Sequence, residues 1–468
     1  MNRRQFLSSA GVAAIGVAGL TGFSTLQTLG AGNTPMKRLA MLLLMDTRST
    51  GRLSLSTVAG NSSLLGGPVT RTAGFNQSYL GPTIIMQNGP LGINVHNTLD
   101  EPITTHWHGL MVPGEHDGGP HLAIRSGGRW KPDVNISQPS ATAWYHSHIH
   151  GRTAPQVYYG LAGAIHVTDG RDDYRGLPAE YGVDDLTLIL QDRRFDRSGR
   201  MVYAPSMMDR MQGFVGNRIL VNGQADTTAV VPRGIVRLRL LNASNARTYN
   251  LYFDDTRPLH LIATDGGYLP APVGLDMLRL SPGERAEVLV DFSGAGAPVL
   301  MSDPQQAYGV LQFATDDTTA RIVKIPPSLD GQLSDLAGSV TRTRNISLDM
   351  GMGGMMMGGG AFAINGRPFD MGRIDFEVDL GSVERWLVRS TMIAHPFHVH
   401  GVRFRVVSEN GRPPRPENTG WKDTVLVKGE TEIVARFDQP ASTSSPYMFH
   451  CHILEHEDAG MMAQFTVS

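Results

Sequence analysis

The final stretch of the chain constrains it most. Phe449-His450-Cys451-His452 is followed by His456 and Met461, and Cys451 is the single cysteine in 468 residues. One unpaired thiol forms no internal disulfide. A thiolate, an imidazole and a thioether within eleven residues are instead the ligand set of a copper electron-transfer site, where a His₂Cys triangle takes a weak axial Met. The second histidine of that triangle has to come from elsewhere in the chain.

Ten of the sixteen histidines fall in four short motifs: His106-Trp107-His108-Gly109, His146-Ser147-His148, His395-Pro396-Phe397-His398-Val399-His400, and the terminal one with His450, His452 and His456. On an extended strand the side-chain period is two, so both imidazoles of a His-x-His pair face one side. Four such pairs are too many for one metal and suit a cluster. The same period turns Cys451 away from His450 and His452, so a metal on Cys451 is joined through a few bonds to metals on its neighbours. His395, outside the His398/His400 pair, supplies the missing imidazole.

These residues closely resemble the multicopper oxidases, whose HxHG, HxH, HPFHxH and HCHxxxHxxxGM motifs occur here in that order. The resemblance implies four copper ions. Cys451, His395 and His456, with Met461 axial, resemble the type 1 ligands; His106 and His398 the type 2 pair; His108, His146, His148, His400, His450 and His452 the ligands of the two type 3 ions. It further implies three cupredoxin-like Greek-key β-barrel domains, with the cluster between the first and third. The run from Val112 to Pro120 and the ending His456-Glu457-Asp458-Ala459-Gly460-Met461-Met462 look like the bacterial periplasmic cuprous oxidases and laccases of the copper-efflux type. The expected function is therefore oxidation of Cu(I) and of phenolic or aromatic amine donors, coupled to reduction of O2 to water, in copper tolerance. A general laccase without a copper-resistance role is the alternative. A non-catalytic scaffold or a copper buffer is disfavoured, because a division-associated member of the family keeps the fold and export signal but has lost copper ligands that this chain keeps.

Reduction of O2 consumes protons. Asp117, just after the His108 motif, and Glu457, beside His456, stand where this subgroup has its proton-handling carboxyls, a role that suits a buried acid. Cys451 is the electron-transfer residue of the same scheme. Met350, Met352, Met355, Met356 and Met357 lie in a Met/Gly tract and are candidates for substrate copper; Met207, Met208 and Met211 form a second small group. The tract is shorter than in the cuprous oxidases and has no histidine. Ser390 to Ala394 lack the acidic residue the subgroup tends to carry before HPFHxH. His96, His116, His121, His150, His166 and His260 are read as structural.

Short alternating runs punctuated by Pro, Gly and Asn predict an all-β chain, divided as 34–170, 171–325 and 340–468, the middle part structural and free of copper motifs. Arg3-Arg4 ahead of an apolar Gly/Ala-rich run marks residues 1–33 as a twin-arginine export signal. This predicts passage through that machinery to the periplasm. A net charge of -2 argues against nucleic acid, no later apolar run is long enough for a stable membrane anchor, and a monomer is expected.

Overall fold

The computed structural model describes residues 37–334, 336–351 and 362–468. The export signal expected at 1–33 and the residues Met352, Met355, Met356 and Met357 lie outside the described residues. Within these, the all-β expectation holds: strands dominate, and the helices run four to six residues. None of the described helices is long and apolar enough to cross a membrane. Arg52–Ser62 shows why such segments become strands. Leu53 and Leu55 are buried while Arg52 and Ser54 are exposed, the period-two signature of a strand with one wet face.

In the first domain a sheet ordered Leu44–Asp46, Thr83–Gln87, Ala162–Thr168, Ala141–His146 shares a core with a second sheet built around Arg52–Ser62 and Gly89–His96. The edge strand β1 (Ala141–His146) is buried along its whole length and delivers His146. A short helix, α1 (Thr153–Tyr158), follows. The middle domain pairs two six-stranded sheets around the largely aliphatic core of Leu188, Leu238, Leu251 and Val288. It carries α2 (Met207–Gln212), whose start is fixed by a capping box between Ser206 and Asp209, and β2 (Arg285–Asp291).

The third domain is organised on β3 (Val383–Val399), which pairs with both β4 (Thr424–Arg436) and β5 (Tyr447–Cys451). The pairing of β3 with β4 breaks after Ser390 and resumes at His395. The extra residues bulge out and re-aim the strand just before its ligands, as bulges do beside functional sites. β5 ends on Cys451 and leads into α3 (Leu454–Asp458), and Cys451 and Met461 are part of this domain's core.

Candidate metal centre

β1, β3, β5 and the loop after Thr105 bring the four histidine motifs together at the junction of the first and third domains. The ligand atoms gather in buried groups: His395 with Cys451 and His456; His106 with His108 and His398; His108 with His146 and His452; His148 with His400 and His450. Consecutive residues of β5 and its continuation thus serve different groups, His450 and His452 to the cluster and Cys451 away from it. This is the strand alternation made chemical.

At the Cys451 site the Sγ lies 3.2 Å from His395 Nδ1 and 3.7 Å from His456 Nδ1, and the two Nδ1 atoms are 3.3 Å apart. The Ile453 N–H donates to the same sulfur at 3.3 Å. Met461 is buried, and its main chain ties it to both ligands: its N–H donates to His456 O at 2.9 Å and its carbonyl accepts from Cys451 N at 3.1 Å. Burial pushes the Cys451 thiol up, so a metal ion is the partner that makes it a thiolate. Phe362 stacks on His456 with centroids 4.5 Å apart.

Six of the eight cluster rings are oriented by a partner on one nitrogen while the other faces their neighbours. His106 Nδ1 meets Asp117 O at 3.0 Å, His146 Nδ1 meets Ser147 O at 2.9 Å, and His450 Nδ1 meets Cys451 O at 3.0 Å. His398 Nδ1 meets Asp423 O at 2.9 Å, His400 Nδ1 meets Asp117 Oδ2 at 2.7 Å, and His108 Nε2 meets Asp423 Oδ1 at 3.1 Å. The nitrogens left over include His106 Nε2, His108 Nδ1, His146 Nε2, His398 Nε2 and both of His452, all buried without a hydrogen-bond partner. His450 Nε2 stands 3.2 Å from His148 Nε2 and 3.3 Å from His400 Nε2. Buried polar atoms are normally satisfied, so this concentration of lone pairs is accounted for by metal.

Protonation agrees. Burial, reinforced by neighbouring rings, holds His108, His146, His148, His398, His400 and His452 well below the ordinary imidazole range. Burial lowers His395 to about 4, and His450 and His456 to about 3. These rings are neutral at pH 7, the form that binds metal. The donor set of one thiol, two imidazoles and a thioether beside an imidazole cluster fits copper.

The two carboxyls singled out from the sequence both reach the cluster. Asp117 lies 3.3 Å from His106 Nδ1 through the oxygen that holds His400, and its Oδ1 has no partner. Glu457 is 3.3 Å from both His148 Nδ1 and His450 Nδ1, and burial drives its carboxyl well above the usual range. Of the methionines, Met350 and Met211 are half-buried against the third-domain core, whereas Met207 and Met208 are 63% and 62% exposed. Among the described residues, His116, His121, His150, His166 and His260 belong to no ligand group; His121 bonds Gln464 and His166 bonds Thr187.

Several contributors escape a reading of motifs. Trp144 stacks on His146 at 4.2 Å. Asp423 orients two ligands, and Arg285 of the middle domain grips Asp423. Met211, also of the middle domain, accepts from His456 Nε2 through its carbonyl at 3.3 Å. Glu455, beside that ligand, is held by Tyr203, Asn245 and the Phe214 N–H. A usable signal existed for Asp423 and Arg285: charged residues opening apolar strands (Lys422-Asp423 before Val425-Leu426-Val427, Arg285 before Val288-Leu289-Val290) need buried partners.

Three family models, each described as multicopper oxidase, match residues 57–172, 179–302 and 339–468. The fold is that of three cupredoxin-like domains. Among solved structures, the laccase-like multicopper oxidase CueO of Ochrobactrum sp., described as having oxidase activity towards lignin model compounds and lignosulfonate, is 44% identical. It has a TM-score of 0.88, with 93% of this chain and 100% of that one covered. Curated relatives are named cell division protein FtsP. That of Photorhabdus laumondii is 37% identical over 99% of this chain and 98% of its own length, and that of Escherichia coli 36% identical over 100% and 99%. These full-length matches correct the expected function. Oxidation of Cu(I), phenols or aromatic amines in copper tolerance gives way to a kinship named for cell division. Ligand motifs describe the metal, and an electron donor or cellular role is selected elsewhere, on surface the motifs do not specify.

Proposed function

The chain belongs to the multicopper oxidase family, and on that premise we propose that it is a copper-dependent oxidase, with O2 as acceptor, that works in cell division. The observation that carries the reading is the buried set of ligand groups, with partnerless nitrogens facing one another across two domains. In this reading His395, Cys451, His456 and Met461 hold one ion and His106 and His398 a second. The trios of His108, His146, His452 and of His148, His400, His450 hold two more, four in all.

Copper held in this way supplies one-electron acceptance at Cys451 and multi-electron delivery to O2 at the cluster. The chain's own residues do the rest. Cys451 joins the sites through the peptide bonds to His450 and His452, a fixed path that needs no motion. Phe362 and α2 cover His456 and keep water from it. Asp117 fixes the His400 ring through Oδ2 and has Oδ1 free to hold a proton. Glu457, between His148 and His450, holds the other.

The division setting comes from the full-length relatives, and the location proposed is the periplasm, reached through the twin-arginine route that Arg3-Arg4 addresses. The purified chain is expected to bind four copper ions, turn blue, and consume O2 with an artificial one-electron reductant. Copper uptake without O2 consumption would sink the oxidase. In cells lacking the related division protein, expression of this chain should restore division, and a Cys451→Ser chain should not. Equal rescue by both would show that division does not use the copper chemistry.

A further inference from the structure

Arg285 belongs to the domain without ligands, is fully buried, and touches all three domains. Its Nε donates to the carbonyl of Thr142 on β1 of the first domain at 3.0 Å. Nη1 and Nη2 donate to the two oxygens of Asp423 in the third domain at 2.7 and 2.5 Å. The remaining guanidinium hydrogens go to the carbonyls of Gly283 and Asp265. A planar fork bonded to both oxygens fixes the plane of a carboxylate as well as its position.

Asp423 passes that order on to two stacked rings. His108 and His398 lie 3.6 Å apart at 13°, yet they meet Asp423 with different nitrogens. The carboxylate Oδ1 is 3.1 Å from His108 Nε2, and the carbonyl is 2.9 Å from His398 Nδ1. A neutral imidazole has one N–H, which goes to the acceptor and leaves the other nitrogen as ligand. His108 therefore carries its proton on Nε2 and presents Nδ1, while His398 carries its proton on Nδ1 and presents Nε2. Both presented nitrogens are buried and partnerless.

The room for this device is also built in. Gly109 closes the His106 motif at φ +94°, and a Cβ there would stand 2.5 Å from Arg285 Nη2 and 3.0 Å from Asp423 Oδ2. Lys422 Nζ bridges Asp265 and Glu284 at 3.0 and 2.9 Å. With Arg285 and Lys422 against Asp265, Glu284 and Asp423, two positive charges meet three negative ones.

We propose that Arg285 is a positioning residue for the metal cluster: by gripping Asp423 with both arms it sets His108 in its Nε2–H tautomer and so presents Nδ1 to the metal. The consequence for copper rests on the function proposed above, but the tautomer is a property of the metal-free chain and can be read there. The test is ¹⁵N-histidine labelling of the whole metal-free protein, with the His108 signals assigned from a His108→Gln chain. The wild type should show Nε2–H. Arg285→Lys keeps the charge and loses the fork; it should lose that tautomer, and on copper loading its cluster should bind about 10–100-fold more weakly with the blue colour of the Cys451 site retained. Asp423→Asn probes the same lock from the third domain, should Arg285→Lys not fold. An Nδ1–H signal in the wild type, or an unchanged Nε2–H signal in a folded variant, overturns the proposal. So does joint loss of the blue site and the cluster, which would mark Arg285 as fold support alone. A wild type with the expected tautomer that binds no copper supports the lock and defeats the oxidase.

Discussion

The Cys451 site and the histidine cluster are made of similar residues but assembled on different principles. The first is contained in one domain. His395, Cys451 and His456 are separated by 56 and 61 positions, and all sit on β3, β5 and α3 within a single core. The cluster joins ligands of the first and third domains, His148 and His450 being 302 positions apart, and its orienting groups come from all three. A site inside one core is as stable as that core. A site between domains reports how well they are docked, and domain docking is the weaker link in most chains. Perturbations at the interface should therefore darken the cluster first, and perturbations of the third domain should extinguish both.

The largest effect expected is from removal of everything from Phe449 onward. This deletes β5 from Phe449 on, where Phe449 and His450 pair with Val399 and His398, and takes Cys451, His456 and two cluster ligands with it. Blue colour and O2 consumption should vanish together. A truncated chain that stayed blue would overturn the assignment of the thiolate site and the comparison built on it.

Next come the two acids. Asp117 touches His106 and His400 and no ligand of the Cys451 site. Asp117→Asn should lower O2 consumption by about 10²–10⁴-fold, the usual worth of a general acid, and leave the blue colour intact. Glu457 contacts the cluster ligands His148 and His450 but sits beside His456 in α3. Glu457→Gln, followed by the same two measurements, asks whether a short helix transmits change between the sites. Unchanged turnover in either variant would remove that residue from proton delivery.

How much of this was legible in the sequence follows the same division. Strand pattern is local, so a segment such as Arg52–Ser62 declares itself. So do the His-x-His pairs, whose common facing needs only the period of an extended chain. Helices such as α1 and α3 are too short for a 3.6-residue period to show, and the sequence revealed no helical pattern there. The residues that order the site were hidden for a different reason. Arg285 and Asp423 are 138 positions apart, and Met211 and His456 are 245 apart. A contact of that kind exists only once the middle and third domains have docked. The middle domain reads as structural because it lacks histidine motifs, yet its carbonyls and guanidinium orient ligands at both sites. Least legible was the kinship with proteins named for cell division, since the motifs encode metal binding.

A smaller effect should come from Tyr203, whose hydroxyl donates to Glu455 at 3.0 Å. Burial raises the Glu455 carboxyl, and the bonds from Phe214 N–H, Asn245 and Tyr203 oppose that shift. Tyr203→Phe removes one of these bonds and leaves a buried acceptor short. Urea unfolding should show a loss of about 1–3 kcal/mol. The blue band should move, because Glu455 precedes His456, while the cluster's copper stays. A change at the cluster instead would mean that the middle domain acts on both sites as one body.

The smallest expected effects separate three methionines on one helix. Met207 and Met208 project from α2 into solvent, whereas Met211, one turn on, packs against the third-domain core and accepts from His456 through its carbonyl. Surface substitutions away from buried contacts change stability by about 0.5 kcal/mol or less, so Met207→Ser and Met208→Ser should leave unfolding and blue colour alike unchanged. Met211→Ala keeps the carbonyl but removes apolar packing from a half-buried side chain, and should cost more than either while shifting the blue band slightly. Equal effects at all three positions would show that α2 rests on the third domain as a loose cover. Only a graded series, with Met211 the most sensitive, fits a helix fastened to the Cys451 site along its buried side.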